Sequence, residues 1–549
     1  MKKMIVESES PIAKSKVGAE AVISGSADMY GACSIETFSS ASPLGLTHED
    51  AQGWIDYVTK FTPGNFWYKD SGVQVWLYEE QYDNWQDTYG ADAVVAFYHS
   101  GHGAMDNNGV FQIPLGSKWS NRDWAFSSDM RLGNETVRYI FWSTCYSCRI
   151  SGTHNPIRTW HPANLGFRML FGFETVSVDD ANYGKFFWEE WNKNKSFSTA
   201  WLDASWRISH NQTPTVVATG ATAAEAQNRV FNERIFDGAA TSRNFYHWRW
   251  YSAAATTSEM LLASTAAIPA EPKIAILESA TTQDRELVKA ATVLGFSNKA
   301  TETMLYDRDG NAYLKDGDKR ASVAKDGTIS IVTGKYNYEN TRQISQDKAI
   351  TIAKSVLAET GFDKKADLRI EKVIHGFSCG GSSKGGGEIG EPVVTETIVQ
   401  FRQLIDGLPT INDGNGLVRV SIDNDGNVIA ITNSAKKVVD LSTKAKSTLA
   451  PDSNRKGAAD SKYASFDEKT LDKLFQQKLA AILARNSATE TNGTGALRSA
   501  SAKDAEIIEE KIGYNVNGGY GSIEAQREYE VDFGDNLKKR YKVRVPIYS

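Results

Sequence analysis

The pattern of apolar and polar positions changes character about halfway along the chain. In the first half, short apolar runs alternate with longer stretches of helical spacing. Ala93-Val94-Val95-Ala96-Phe97-Tyr98 and Arg138-Tyr139-Ile140-Phe141-Trp142-Ser143-Thr144 are rich in β-branched and aromatic residues, which predicts two buried strands. Residues 73–78 and 215–219 predict two more strands, and residues 165–178 a strand with a helical start. Helical spacing covers residues 48–59, 183–192, 198–209 and 223–236, with Thr47 the expected N-cap of the first and Asp50 three residues after it. Alternation of this kind predicts an α/β sandwich with a mostly parallel sheet.

The second half reads differently. Ala349, Ile352, Ala353, Val356 and Leu357 recur at helical spacing within residues 346–360. Strands are predicted over 368–374, 395–404, 417–422 and 428–432, with hairpin turns at Asp406-Gly407 and at Asn424-Asp425-Gly426-Asn427. Residues 466–484 predict one long helix, and residues 529–548 alternate and end in a terminal strand. Residues 266–272 and 442–461 read as linkers, residues 487–503 are poor in apolar positions, and the glycine-rich stretch 380–390 reads as a mobile or cleavable loop. That stretch is no phosphate-binding loop, because no Lys-Ser/Thr follows its later glycines. The expected domains are therefore residues 1–265, an α+β domain over 266–441, and a segment of linker, helix and strand over 442–549.

Composition adds bounds. A chain of 549 residues exceeds a single core, so about two to four domains are expected. Hydrophobic content of 41% and charged content of 23% are those of an ordinary globular protein. All 14 tryptophans fall between Trp54 and Trp250, which supports a boundary near residue 265. A net charge of −6 leaves no electrostatic footprint for nucleic acid. No apolar run reaches the roughly 18–20 residues of a membrane span. Met1 to Glu9 carries two lysines with no apolar stretch behind them, so no signal peptide is read and a cytoplasmic location is expected, with an exported form left open. Four cysteines, Cys33, Cys145, Cys148 and Cys379, are too few for a disulfide scaffold.

The candidate chemistry lies where the two buried runs end. The first runs into His99-Ser100-Gly101-His102-Gly103 and the second into Cys145-Tyr146-Ser147-Cys148. Ligands bind at the carboxyl ends of parallel strands, so an imidazole and a thiol far apart in sequence can meet there. Glycines on both sides of His102 permit a sharp turn and clear side chains from around the ring. Taken singly, His102 also reads as a loop residue between turn glycines, and Cys145 as a small buried hydrophobe. His99 is a rival base and Cys148 a rival nucleophile.

The pair of motifs resembles the caspase-like cysteine peptidases of clan CD, which include caspases, metacaspases, legumains, gingipains and separases. In those families an apolar run precedes His-Gly, and a second precedes a small residue and the nucleophilic cysteine. Val94-Val95-Ala96-Phe97 before His102-Gly103, and Tyr139-Ile140-Phe141-Trp142 before Thr144-Cys145, follow that pattern. The resemblance spans about residues 25–250. It implies a caspase-like fold, His102 as general base, Cys145 as nucleophile, and the amides of Gly103 and Cys145 as an oxyanion hole. Ser143-Thr144 stands where caspases carry Gln-Ala. Acidic pockets in several of these peptidases favour a basic side chain before the cleaved bond, and Asp179 and Asp180 are candidates to line one. Both also read as a helix N-cap. Trp160 is a candidate wall of the cleft or a packing residue, and Cys33 is expected on a buried first strand.

Two other readings stay open. Cys145 and Cys148 have C-x-x-C spacing, which a thiol-redox centre or a zinc site would use, with Cys33, His154 or His161 as further ligands; the residues after them make a poor helix start and no zinc-knuckle spacing is present. A non-catalytic caspase-like module could hold a peptide or glycan in a tryptophan-rich cleft. Residues 346–441, with the Asp406-Gly407-Leu408-Pro409 turn, resemble the PepSY-type modules of secreted bacterial peptidases, which implies an accessory domain that restrains the first. The expectation is a cysteine endopeptidase acting on peptide or protein substrates without cofactor or metal, under intramolecular inhibition by its C-terminal half.

Overall fold

The computed structural model of the protein describes residues 2–12, 29–253, 273–278, 283–384, 388–442, 468–487 and 505–547. The first half contains, in chain order, β1 (Lys2–Ile5), β2 (Tyr30–Ser34), α1 (Thr47–Val58), β3 (Phe66–Lys69), α2 (Asp83–Tyr89), β4 (Ala96–Ser100), β5 (Ala104–Met105), β6 (Phe111–Trp119), β7 (Arg122–Phe126), β8 (Tyr139–Ser143), α3 (Pro156–Trp160), β9 (Met169–Phe173), α4 (Tyr183–Trp191), α5 (Phe197–Ile208), β10 (Pro214–Gly220), α6 (Ala223–Asn232) and β11 (Phe245–Ala253). The second half continues with β12 (Ile274–Leu277), α7 (Gln283–Val293), α8 (Asn298–Thr301), β13 (Thr303–Tyr306), β14 (Ala312–Asp316), β15 (Lys319–Val323), β16 (Ile329–Val332), α9 (Gln346–Thr360), β17 (Asp367–Ser382), β18 (Val393–Ile405), β19 (Leu408–Pro409), β20 (Leu417–Asp423), β21 (Val428–Asn433), β22 (Val438–Ser442), α10 (Glu468–Ser487), β23 (Glu506–Asn517), β24 (Tyr520–Gly534) and β25 (Leu537–Pro546).

The buried runs of the first half pair side by side. β3, β2, β4, β8 and β9 lie in parallel in that order. Every residue of β2, β4, β8 and β9 is buried, as strands covered on both faces require. Ala32, Tyr98, Phe141 and Phe171 point to a tryptophan-rich layer that includes Trp54, Trp188, Trp191 and Trp201, carried on α1, α4 and α5. Cys33, Phe97, Trp142 and Leu170 point the other way, with Phe111, Ile113 and Trp160 from β6 and α3. The three layers make an α/β sandwich.

The parallel order stops at β9. β10 and β11 add antiparallel strands, and β11 pairs antiparallel with β17, from Phe245 with Ser382 to Ala253 with Ile374. The sheet then runs on through β18, β20, β21, β16, β15, β14 and β13, and ends on β1 in parallel with β13. A single 17-stranded mixed sheet thus joins strands from both halves of the chain. The expectation of a mostly parallel sheet holds for the five-strand block β3, β2, β4, β8 and β9; the β1–β13 pair is the other parallel pairing in a sheet that is otherwise antiparallel among the described residues. α7 and α9 pack on the distal part through Leu287, Ala290, Ala353, Val356 and Leu357.

A second sheet, antiparallel and of half-barrel form, is assembled from β22, β12, β24 and β23, with β25 on β24. It draws its strands from three places in the chain. Leu471, Phe475, Leu479 and Leu483 of α10 are buried at four-residue intervals, in the same apolar cluster as Tyr541, Val543 and Val545 of β25. That cluster is continuous with the Cys33–Trp142 face of the parallel block.

Local corrections have physical causes. Residues 73–78 form no strand: Val75–Leu77 is a 3-10 turn whose buried side chains join the core, an ambiguity inherent in a short apolar run. Thr47 lies inside α1, and Leu46 precedes it without a side-chain cap. α6 stops at Asn232, and the next residue, Glu233, pairs with Arg168 and Arg229. The Asp406-Gly407 turn stands as expected, with φ of 49° and 81°, the left-handed pair of a tight hairpin. Residues 266–272, 443–461 and 488–503, read above as linkers or low in apolar content, lie outside the described residues, as do 466–467 of the expected helix.

The seam between the halves is held by a buried ion pair. Arg249 of β11 donates through Nη2 to Glu396 Oε1 of β18 at 2.8 Å, and both are almost fully buried. Gly376 of β17 stands opposite Tyr251 and Glu396 in the ladder, and a Cβ there would meet the Glu396 side chain at 2.4 Å. Arg249→Ala is expected to destabilise the protein by about 3–5 kcal/mol, because it strands a buried carboxylate. The Arg249→Met/Glu396→Leu double variant should recover most of that loss in urea unfolding. A cost below that of an ordinary surface substitution in the single variant would remove the pair's importance.

Candidate active site

The register of β4 on β8 builds the site. Ser100 lies opposite Ser143, so Gly101-His102-Gly103 and Thr144-Cys145 leave the sheet at the same edge. The two loops touch. A Cβ on Gly103 would lie 2.7 Å from the Cys145 carbonyl oxygen and 2.9 Å from Thr144 Cβ, so only glycine fits there. Cys145 is followed by Tyr146 in the left-handed region, φ 58°, an uncommon conformation for an aromatic residue. The turn is pinned from below. Tyr146 and Cys148 donate their N–H groups to the Thr175 and Phe173 carbonyls, and Ser147 Oγ accepts from Phe173 N.

His102 is fully buried, with one ring nitrogen bonded and the other not. Its Nε2 lies 3.0 Å from the Ser42 carbonyl oxygen. A carbonyl only accepts, so Nε2 carries the proton and Nδ1 keeps a free lone pair. Nδ1 has no hydrogen-bond partner. The ring is flanked by Phe38 at 5.0 Å and Phe533 at 5.4 Å between centroids. Burial, and then the positive charge of Lys539, push its pKa down to about 3. His99 is held differently. Its Nδ1 meets the Tyr78 hydroxyl at 2.9 Å and its ring packs on Trp142, on the apolar face of the sheet. Burial lowers its pKa to about 3 as well.

Cys145 is also fully buried. Its Sγ lies 3.1 Å from the Lys538 carbonyl oxygen, accepts from Ser177 N at 3.3 Å, and is 3.5 Å from Ser177 Oγ. Cys148 points elsewhere. A Cβ on Gly172 of β9 would touch its sulfur at 2.9 Å, and burial holds its thiol well above the usual range. The two sulfurs of the C-x-x-C therefore serve separate surroundings. Cys33 sits on β2 as expected, buried, with its thiol pushed up to about 12.

The predicted lining residues divide. Asp179 is buried beside the site and accepts from Gly45 N at 3.1 Å. Burial raises its pKa, and Lys539 opposes that shift. Asp180 turns away: it accepts from Asn182 N and Nδ2 ahead of α4 and lines a polar groove of about 1150 Å³ between the two halves. Neither His102 nor Cys145 lines that groove, where Glu190 and Asp413, for example, are matched by Lys195 and Lys542. Trp160 is no cleft wall. It is buried, stacks on Trp142, and donates its indole N–H to Ser147 O at 2.9 Å, which braces the Cys145 turn from behind.

Sequence reasoning missed three contributors. Asp50 accepts from Tyr98 OH, Ser100 Oγ and Gly184 N, and also engages Ser143, so it ties the ends of β4 and β8 to α4. Burial raises its carboxyl to about 6. Its place in the first turn of a helix had disguised it as a cap. Ser42, the histidine's acceptor, acts through its backbone and left no side-chain signal. The third is the tip of the β24–β25 hairpin. Arg540 donates its N–H to Ser177 O and accepts from Asp179 N, in a parallel bridge with Val178. Phe533, Lys538 and Lys539 from that tip close over the imidazole and thiol.

A second constellation lies at the end of β2. Ser34 Oγ is 2.8 Å from His48 Nδ1, and His48 Nε2 is 2.9 Å from Asp70 Oδ2. Ser34 is buried and already accepts the Trp67 indole N–H at 3.0 Å. Asp70 in turn accepts from Glu36 N and Thr37 N. This set works as a clamp on the loop after β2.

Residues 31–252 match a family described only as a domain of unknown function (DUF6345), which covers less than half of the chain. No curated protein and no solved structure matches the chain.

Both histidines at the site are held neutral by burial. Their folded pKa values lie below the ordinary 6.5, so the unfolded chain takes up protons first as pH falls. Stability is therefore complete above about pH 6.5 and is lost as pH drops towards 3. At pH 5 each is expected to cost about 2 kcal/mol. Thermal unfolding at pH 7.5 and pH 5 tests this, with His102→Gln expected to be less acid-sensitive than wild type. Equal sensitivity of the two would place the acid lability elsewhere.

Proposed function

We propose that residues 31–252 form a caspase-like cysteine endopeptidase domain, with His102 as base and Cys145 as nucleophile, held latent by the C-terminal hairpin. The observation that carries this reading is the histidine's tautomer. Nε2–H is fixed on the Ser42 carbonyl, which leaves Nδ1 as a bare acceptor in a loop that abuts the Cys145 backbone. A base oriented by a third group next to a thiol is the arrangement that nucleophilic catalysis requires. The parallel block with Cys145 and His102 at neighbouring strand ends supports the caspase-like assignment of the fold.

In the open enzyme, Nδ1 takes the Cys145 proton as the thiolate attacks the substrate carbonyl carbon. The imidazolium is stabilised by Nε2–H on Ser42. The tetrahedral oxyanion accepts hydrogen bonds from the Gly103 and Cys145 amides. Nδ1–H then protonates the leaving amine, and an acyl-enzyme remains. Water, deprotonated by Nδ1, attacks the thioester and releases the acid and the thiol.

Latency rests on the hairpin. It covers both reactive groups and turns the Lys538 carbonyl oxygen towards the thiol. A sulfur that donates to a carbonyl oxygen is not placed to attack the carbon, so the tip blocks the site without being cleaved. The complete burial of both groups also favours a second reading, a binding module without catalysis. The PepSY-like likeness of residues 346–441 fits an accessory role for that part of the chain.

Activity separates the readings. With the tip opened by Lys539→Glu in the full chain, peptide-library cleavage is expected. Adding Cys145→Ala abolishes it, and Cys148→Ala retains most of it. His102→Ala lowers turnover by about 10²–10⁴-fold, whereas His99→Ala does so only through stability. Equal losses from Cys145 and Cys148 would point instead to paired-thiol chemistry. Fast iodoacetamide labelling of Cys145 in the opened chain, with no cleavage of any peptide, would favour the binding module.

A further inference from the structure

We infer that the pocket beside Cys145 selects a lysine side chain, so that the substrates are peptides bearing lysine at the residue whose side chain enters this pocket. This rests on the cysteine peptidase reading and adds its substrate class.

The pocket is marked by the residue that fills it. Lys539 at the hairpin tip is 2% exposed. Its ammonium donates to Ser177 Oγ at 3.1 Å and to the Gly101 carbonyl at 3.4 Å. Ser177 Oγ is itself 3.5 Å from Cys145 Sγ, so the ammonium lies one hydroxyl away from the nucleophile. A buried ammonium is costly unless its surroundings are built for a cation. These surroundings are. The Asp179 carboxyl is buried beside the ammonium, and the charge of Lys539 works against the upward push that burial exerts on that carboxyl. The two imidazoles that also feel Lys539, those of His99 and His102, are neutral and do not repel it.

Shape and chemistry favour lysine over arginine. The two direct acceptors are single neutral oxygens on different loops, which suit a compact ammonium with three divergent donors. A planar guanidinium would need a bidentate acceptor, and the Asp179 carboxylate is already engaged by Gly45 N. The backbone beside Lys539 is also held as an extended ligand would be, through Arg540 N to Ser177 O and Asp179 N to Arg540 O.

The test uses the full chain with Lys539→Glu, which places a carboxylate against Asp179 and drives the tip out. Phe533→Ala opens the same tip from the His102 side if the first variant does not fold. Peptidyl acyloxymethyl ketones that differ only in the terminal residue, lysine, norleucine, arginine or aspartate, are followed by mass spectrometry of the Cys145 peptide. The lysine probe is expected to react about 100-fold faster than the isosteric norleucine probe, and faster than the arginine and aspartate probes. Asp179→Asn, made in the Phe533→Ala chain whose opening does not depend on that carboxylate, should narrow the lysine-to-norleucine ratio. Equal rates for lysine and norleucine, with Cys145 labelled by both, overturn the lysine pocket and leave the peptidase reading standing. Absence of Cys145 labelling by every probe, iodoacetamide included, in both opened variants overturns the peptidase reading and this inference with it.

Discussion

The alignment of β4 with β8 is the constraint on which the site depends. Because Ser100 and Ser143 are opposite one another in a parallel ladder, the next residues of each strand emerge together at one edge. A slip of one residue would send His102 or Cys145 to the other face. The register is enforced away from the site. Trp142, Phe97 and His99 pack on one side of the sheet, and Tyr98 and Phe141 pack against Trp54 on the other. Asp50 then fastens the two strand ends by their serines. The positions of the two loops are thus set by packing on both faces of the sheet.

The C-terminal half closes the edge that this register creates. Its hold is polar where it meets the helices and apolar where it meets the imidazole. Asp413 gathers Lys511 and Lys542 beside the buried His210, and holds its own carboxyl well below the usual range through those lysines, against burial. Glu528 accepts from Ser209, and Arg540 pairs with Glu530. Near the thiol the contacts are fewer and their members are individually expensive to bury: one ammonium, one carboxylate and two neutral imidazoles. Burial of that kind is stable only while every partner stays in place. The tip is therefore the part of the interface most sensitive to a change in charge, and the groove behind it the most tolerant.

Much of the fold was legible because parallel strands advertise themselves. Runs such as 93–98 and 138–144 are apolar on both faces, and only a doubly covered strand needs that. The placement of His102 and Cys145 at one sheet edge was legible for the same reason, since each follows the end of such a run. The 17-stranded continuity was not. Nothing in β11 or β17 alone says that they pair, because pairing between strands distant in sequence leaves no periodic trace. The half-barrel was hidden likewise: β12 is four residues long and finds its partners in β22 and β24, far along the chain. Ser42 was invisible because it acts through its backbone carbonyl, which any residue possesses, and Ser177 because a lone serine after a strand carries no pattern that sets its hydroxyl apart.

Asp179 and Lys539 show how one-sided a sequence reading of a pocket is. Asp179 was legible as an acidic candidate, yet a helix cap was the stronger reading because Asp is a preferred cap, and its neighbour Asp180 does sit ahead of α4 in the groove. What separates the two adjacent aspartates is the direction of the chain after β9, which turns one carboxylate inward and the other out. Lys539 resolves the ambiguity from the opposite side, since an ammonium at 2% exposure needs a reason to be buried. Its companion Lys538 remains partly exposed and pairs with Glu530, as a lysine on a strand edge ordinarily does. Two consecutive lysines with opposite fates, opposite two consecutive aspartates with opposite fates, are joined by the single parallel bridge of Val178 with Arg540. That bridge sets the phase of the hairpin tip, and a shift of one residue would withdraw the ammonium from the thiol and leave a carboxylate alone in the pocket.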